Sequence, residues 1–207
     1  MVDEKPTVFL VDDDDAVRDA VSMLLESAGL QARCFDSAQR FLDEYDATPG
    51  CLVLDVAMPG MTGLELQEKL NKSGIRIPII FITGHGDVPM SVRAIKQDAV
   101  DFVEKPADDG ELLQKIEQAI ELDREFRGED AQRNKVVDRF NRLTPREQQV
   151  MAEVAAGNSN KEIAINLDIS HRTIEIHRAR VMEKMGAGSL PDLIRMALIC
   201  GVSVAGD

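Results

Sequence analysis

The sequence of 207 residues has only three cysteines, no tryptophan and no long hydrophobic run. Cys34, Cys51 and Cys200 are odd in number and far apart, which fits neither a disulfide framework nor a metal-binding spacing. We therefore expect reduced thiols and a cytoplasmic location. The apolar stretches are far shorter than the ~20 residues of a membrane span, and the N-terminal residues lack the pattern of a secretory signal. No membrane association is expected.

Charge is distributed unevenly along the chain, whose net charge is -13. Residues 1–126 contain 26 acidic and 12 basic side chains, a net charge of -14. Residues 127–207 contain 11 acidic and 12 basic side chains, a net charge of +1. Because an acidic segment does not bind nucleic acid through charge, any DNA contact is expected in the second part. We expect weak nonspecific affinity there and a need for dimerisation.

The first part alternates short apolar runs with amphipathic helical patterns, which predicts βαβ units and a parallel sheet. The predicted strands are 7–11, 31–35, 50–55, 78–82 and 100–104. The predicted helices are 15–28, 37–46, 62–73, 88–97 and 109–125. The expected fold class is an α/β doubly wound sheet of five parallel strands.

From residue 143 onwards the pattern is helical only, with predicted helices at 145–156, 160–167, 171–185 and 189–200. Thr144, Pro145 and Glu147 have the spacing of a capping box with proline at the first helical position. We expect an α/β domain over 1–125, a linker over 126–142 and a small four-helix domain over 143–207. The charged linker fits either a helix or a flexible tether.

Four of the predicted strands end on charged or hydroxyl side chains, which are Asp12-Asp13, Asp55, Thr83 and Lys105. The carboxyl ends of parallel strands share one edge, where ligands bind in α/β sheets. Three carboxylates at this edge would repel one another without a cation, and Mg2+ prefers such oxygen ligands. A carboxylate beside that ion can attack a phosphoryl group and form an acyl phosphate. The strand ends therefore predict a Mg2+ and phosphoryl site.

These side chains stand in motifs that resemble the receiver domain of bacterial two-component response regulators. The resemblance covers about residues 6–125, with motifs at 11–13, 54–60 with Gly63, 83–84 and 105–106. It implies that Asp55 is the phosphoacceptor. It also implies that Mg2+ is bound by Asp12, Asp13 and Asp55 together with the carbonyl of Ala57.

The resemblance further implies a switch that responds to phosphorylation. Its residues are Thr83, Phe102 and Lys105, and the Lys105–Pro106 peptide bond is often cis in such domains. Plain core packing remains the alternative for Phe102. The active face is expected near the helix predicted over 88–97 and the last strand, with candidate contacts at Val92, Ala94 and Ile95.

The last part contains a helix-turn-helix pattern, in which the second helix, 171–185, is expected to enter the DNA major groove. Candidate base contacts on its outer face are Arg172, Glu175, Ile176, Ala179 and Arg180. Candidate phosphate contacts are Lys161, Thr173, His177, Arg178 and Lys184. Periodicity alone fits equally well a four-helix domain that does not bind DNA.

Residues 141–202 resemble the LuxR/FixJ-type DNA-binding domain along its whole length, with matches at 143–147, 160–164, 172–175 and 184–185. The whole chain therefore resembles a FixJ-type response regulator. This implies a phosphorylation-dependent transcriptional regulator whose partners are a sensor histidine kinase, promoter DNA and RNA polymerase. It also implies homodimerisation on phosphorylation or DNA binding, with the last helix as the dimer surface on DNA.

Two other functions fit parts of the pattern. An aspartyl-phosphate phosphatase would use similar residues, but it adds an acid two positions after the nucleophile, where this chain has Ala57. A DNA-binding regulator that does not depend on phosphorylation would leave the strand-edge site without use. We expect no enzymatic turnover beyond self-phosphorylation from a phosphodonor and slow autodephosphorylation.

Overall fold

The structure is a computed structural model that describes residues 5–84 and 101–202. The chain divides into two compact units, and the boundary between them falls between Arg127 and Gly128. Within the described residues, no helix is both long enough and apolar enough to cross a membrane.

The N-terminal unit is built on one parallel sheet with the strand order β2-β1-β3-β4-β5. The strands are β1 Thr7–Val11, β2 Gln31–Phe35, β3 Gly50–Asp55, β4 Ile79–Thr83 and β5 Asp101–Glu104. Every residue of β1, β3 and β4 is buried, as expected for continuous apolar runs in a sheet that is covered on both faces. The predicted α/β class with five parallel strands is confirmed.

Helices α1 (Asp15–Ser27), α2 (Ala38–Glu44) and α3 (Gly63–Lys72) pack against this sheet. Alternate residues of each strand point to opposite faces, so β1 contributes to two separate apolar clusters. Phe9 and Val11 join the cluster under α2 and α3, whereas Val8 and Leu10 join the cluster under α1. The helix predicted over 88–97 lies outside the described residues, as do Val92, Ala94 and Ile95.

Helix α4 runs from Asp109 to Asn141 and is 33 residues long. Its first turns bury Leu112, Ile116, Ala119 and Ile120 against the sheet. Residues 131–135 are exposed, and Val136 and Phe140 then pack into the core of the C-terminal unit. Residues 126–141, for which the sequence left a helix and a tether open, are therefore helical.

The C-terminal unit contains α5 (Pro145–Ala155), α6 (Asn160–Asn166), α7 (His171–Met185) and α8 (Leu190–Ile199). Capping boxes start two of these helices: Thr144 with Glu147 starts α5, and Ser159 with Glu162 starts α6. Such caps satisfy backbone N–H groups that have no partner inside the helix. The helices enclose one apolar core, which includes Val150, Ile163, Ile174, Val181 and Leu193.

Candidate functional site

Two carboxylates and one ammonium meet at the carboxyl edge of the sheet. Lys105 Nζ lies 2.6 Å from Asp12 Oδ2 and 2.8 Å from Asp55 Oδ1. The side chains of Asp12 and Asp55 are 1% and 7% exposed, whereas that of Lys105 is 23% exposed. The residues come from the ends of β1, β3 and β5, so the sheet topology brings together side chains that are up to 93 positions apart.

The second oxygen of each carboxylate is held by a backbone amide. The amide of Asp14 donates to Asp12 Oδ1 at 3.0 Å, and the amide of Ala57 donates to Asp55 Oδ2 at 2.8 Å. Arg18 Nη1 also donates to the main-chain oxygen of Asp12 at 2.5 Å. Both carboxylates are therefore fixed in orientation. The sequence did not reveal the contact of Arg18, because its position in α1 is typical of a solvated helix face.

Burial and the contacts between Lys105 and the carboxylates have opposite effects on the pKa values at this site. Burial raises the pKa of Asp55 above its usual value, and the carboxylate of Asp12 adds to this effect, while the hydrogen bond and charge of Lys105 act against it. For Lys105, partial burial favours the neutral amine, but the contacts with Asp12 and Asp55 outweigh it and raise the pKa. The ammonium of Lys105 therefore stays charged at neutral pH.

The other predicted residues of this site differ in burial and in their contacts. Thr83 is buried at the end of β4, and its carbonyl oxygen accepts from the Lys105 amide at 2.8 Å. Phe102 is half-buried and packs against the cluster under α2 and α3. Asp13 and Ala57 are exposed. The Lys105–Pro106 peptide bond is cis.

Gly63, the first residue of α3, allows this helix to approach the end of β3 closely. A Cβ atom at this position would lie 2.3 Å from the main-chain oxygen of Asp55, a distance that real side chains do not reach. The amide of Gly63 donates to the carbonyl of Val56 at 3.0 Å. The loop after Asp55 is therefore closed by direct contact between backbone atoms.

The oxygen donors of this site fit Mg2+ in chemistry. No group of three acidic, histidine or cysteine side chains in the described ranges is arranged to hold a metal ion. Mg2+ needs only one or two carboxylates besides water and phosphate oxygens. Asp12 and Asp55 supply this pair, the exposed Asp13 follows Asp12 directly, and Ala57 stands two positions after Asp55.

The C-terminal unit has the predicted helix-turn-helix, formed by α6, a turn at 167–170 and α7. Ser170 caps α7 by accepting from the amide of Thr173 at 3.1 Å. The inner face of α7 is formed by Ile174, Val181 and Met185, which are buried. The predicted outer residues are exposed, namely Arg172, Glu175, Ile176, Ala179 and Arg180. Lys161 of α6 is exposed as well.

Three predicted phosphate contacts have their polar atoms occupied or enclosed within the unit. Lys184 Nζ contacts Glu147 Oε2 at 2.6 Å, and Arg178 Nη1 donates to Asn160 Oδ1 at 2.7 Å. His177 Nδ1 is buried and has no hydrogen-bond partner in the part of the chain that is described. The periodicity of the sequence did not predict the contacts with Glu147 and Asn160, because they join α7 to other helices.

The exposed face of α7 contains a small charged cluster. Glu175 lies 3.6 Å from Arg172 Nη1 and 3.6 Å from His171 Nδ1. The side chain of Arg172 is 83% exposed, and exposed ion pairs at such distances contribute little to stability. These side chains are therefore available for contacts outside the chain.

Comparison with known proteins gives the same two-part organisation. Residues 8–117 match the response regulator receiver domain, and residues 141–197 match the bacterial regulatory proteins of the luxR family. The transcriptional regulatory protein FixJ of Azorhizobium caulinodans is 45% identical over 205 residues, which cover 99% of this chain and 97% of that protein.

Two solved structures match almost the whole chain. The low-resolution structure of the response regulator StyR has a TM-score of 0.77 and 45% identity, and the match covers 94% of this chain and 98% of that chain. Full-length FixJ from B. japonicum has a TM-score of 0.58 and 46% identity, with 96% and 98% covered.

A receiver-type sheet with carboxylate, hydroxyl and ammonium groups at its strand ends, followed by a helix-turn-helix unit, defines a two-component transcriptional regulator. The chain belongs to the response-regulator family, among the members that join a receiver domain to a LuxR-type DNA-binding domain, as FixJ does.

Proposed function

We propose that the chain is a phosphorylation-dependent regulator that receives a phosphoryl group on Asp55 and then binds promoter DNA. The observation that carries this proposal is the pair of buried carboxylates at the sheet edge, bridged by Lys105 at 2.6 and 2.8 Å. Burying charged groups is costly unless they are paired, so such a cluster is typical of a functional site.

The proposed reaction is a transfer from a phosphohistidine of a sensor histidine kinase. A carboxylate oxygen of Asp55 attacks the phosphorus, and an acyl phosphate forms on Asp55. The P–N bond breaks, and the electron pair of this bond returns to the imidazole of the kinase. Lys105, which already contacts Asp55, neutralises one phosphoryl oxygen, and the hydroxyl of Thr83 donates to another. Catalysis here consists mainly of positioning and charge neutralisation.

Mg2+ is the proposed cofactor, held by Asp12, Asp13 and Asp55 with the carbonyl of Ala57. Bound there, it would neutralise the charge of the phosphoryl oxygens. Asp13 is exposed and stands two residues after the end of β1. Ala57 stands two positions after Asp55, where a phosphatase would have its second acid, so the acyl phosphate is not turned over rapidly.

Phosphorylation is proposed to shift a pre-existing equilibrium between two conformations. Thr83 and Lys105 turn towards the phosphoryl group, and Phe102, now half-buried, repacks inwards. The altered surface favours homodimerisation or frees the DNA-binding unit, and Val92, Ala94 and Ile95 remain candidate contacts from the sequence alone. Helix α8 is the proposed dimer surface on DNA, and RNA polymerase is a further partner.

DNA is proposed to be read by the exposed face of α7. Arg172 and Arg180 can pair with guanine, Glu175 can accept from cytosine, and Ile176 and Ala179 can contact thymine methyl groups. Lys161 and Thr173 are proposed phosphate contacts. A dimer would bind two half-sites related by a two-fold axis.

The test is phosphorylation of the full chain with acetyl phosphate and Mg2+, followed by intact mass. We expect the wild type to gain one phosphoryl group, Asp55→Asn to gain none, and omission of Mg2+ to abolish the gain. Asp43→Asn, which removes an exposed carboxylate of α2, is the matched control and should behave as the wild type. Equal labelling of Asp55→Asn would overturn the proposal.

A further inference from the structure

The C-terminal end of α7 is held by a side chain of α4. Arg139, in the last turn of α4, donates from Nη1 to the main-chain oxygen of Met185 at 3.0 Å. The last four carbonyl groups of a helix have no partner within the helix, and the negative end of the helix dipole favours a cation. Arg139 supplies both a donor and a positive charge at this point.

Gly186 makes room for this contact. It ends α7 in the left-handed conformation, with φ +67°, where glycine is favoured. A Cβ atom at this position would lie 3.0 Å from Arg139 Nη1. The guanidinium thus lies directly over the end of α7, at a place that a side chain would crowd.

The turn that presents Arg139 is anchored in the C-terminal unit. Val136 and Phe140, on either side of Arg139 in the sequence, pack against the core of this unit. Gln148 of α5 also donates to the carbonyl of Phe140 at 3.5 Å. The guanidinium therefore extends from a fixed backbone, and its contact with Met185 fixes the end of α7 relative to that backbone.

A second contact attaches the last turn of α7 to α5. Lys184 contacts Glu147 at 2.6 Å, and Glu147 is buried and fixed by the amide of Thr144 at 2.8 Å. With Arg139 this makes two independent attachments within the last turn of α7. The N-terminal half of the helix, with Arg172 and Ile176, has its outer face exposed.

We infer that Arg139 is a positioning residue for DNA recognition, which fixes the tilt of α7 in the major groove without contacting DNA. The inference rests on the proposed function of α7 as the reading helix. A base contact requires hydrogen-bond geometry, whereas a phosphate contact tolerates displacement, so loss of Arg139 should weaken specific binding and leave nonspecific binding unchanged.

The test compares full-length variants on two duplexes, always with the phosphoryl mimic beryllofluoride and Mg2+ present. One is enriched by the wild type from a random-sequence library, and the other is an unrelated duplex of equal length. Arg139→Gln should weaken binding to the enriched duplex about tenfold, as expected when one base contact is impaired. Binding to the unrelated duplex and the salt dependence of binding should be unchanged. Arg133→Gln, which removes the same charge from an exposed position of α4, should match the wild type on both.

The other outcomes contradict the inference in distinguishable ways. Equal losses on both duplexes with a salt slope reduced by about one would make Arg139 a phosphate contact. If Arg139→Gln loses no affinity for the enriched duplex while Arg172→Gln does, the inference about Arg139 is overturned but the reading role of α7 is not. No loss with either variant would overturn the reading role of α7 as well. If Arg139→Gln is unfolded at the assay temperature, Arg139→Lys replaces it, with a smaller loss expected on the enriched duplex only.

Discussion

At the scale of single residues, Lys105 compensates the charge of two buried carboxylates. Lys105→Met should lower the free energy of unfolding of the N-terminal unit by about 1–3 kcal/mol, less than for a fully buried pair because the ammonium is partly exposed. Mg2+ should then raise the melting temperature of this variant more than that of the wild type, since the ion replaces the lost positive charge. Thermal unfolding with and without Mg2+ measures both effects.

The control for Lys105→Met is Lys72→Met, which breaks an exposed pair with Glu68 on α3. It should change stability by less than about 0.5 kcal/mol and leave the effect of Mg2+ as in the wild type. An equal effect of Mg2+ on Lys105→Met and the wild type would show that the ammonium and the ion do not compensate the same carboxylates.

Glu147 gives the C-terminal unit a pH-dependent stability. The hydrogen bond from Lys184 lowers its pKa from 4.5 to about 2, with help from Thr144 and against the effect of burial. Because the pKa is lower in the folded than in the unfolded state, the stabilisation is complete above about pH 4.5 and is lost as the pH falls towards 2.

Glu147→Gln should therefore weaken the protection of α5 and α7 from hydrogen exchange at pH 7. The difference between variant and wild type should shrink at pH 3.5, when the two are compared at the same pH. Glu153→Gln on the same helix is a control for the loss of one carboxylate that is not held by Lys184. A difference that is the same at both pH values would show that Lys184 does not act through the charge of Glu147.

At the scale of elements, α4 is attached to the base of the sheet by Asp123. This buried carboxylate accepts from the Gly50 amide at 2.9 Å and from Arg127 Nε at 2.7 Å, and Arg127 also reaches the Thr48 carbonyl at 3.1 Å. Asp123→Ala leaves the Gly50 amide and the Arg127 guanidinium without this acceptor, so it should cost about 2–3 kcal/mol of stability.

Thermal unfolding checks this value, and Glu121→Ala serves as the matched control because its pair with Arg124 is exposed. The control should stay within about 0.5 kcal/mol of the wild type. Similar small losses in both variants would mean that the contacts of Asp123 do not anchor α4.

The sequence predicted elements with strong local signals far better than contacts between distant elements. The apolar strands and the capping box at Thr144 define their elements locally, and the shared sheet edge was enough to bring Asp12, Asp55 and Lys105 together. The single helix through Gly128 was left open because its charged residues are compatible with a tether. The pair of Lys184 with Glu147 was not predicted, because the two residues lie on different helices and are 37 positions apart in the sequence.

At the scale of the whole molecule, phosphorylation of the N-terminal unit is proposed to promote DNA binding by the C-terminal unit. The second part has a net charge of only +1, so charge alone gives it little affinity for DNA. Regulation by dimerisation suits such a unit, since two weak sites bound together gain affinity through their effective concentration.

The most direct test is the affinity of the full chain for its enriched duplex, with and without the phosphoryl mimic beryllofluoride and Mg2+. The wild type should dimerise and bind at least about tenfold more tightly with the mimic, a shift that needs ~1.4 kcal/mol of coupling. Asp55→Asn should show neither response. Equal affinity of the wild type in both conditions, or an equal response of Asp55→Asn, would contradict the proposal that Asp55 controls DNA binding.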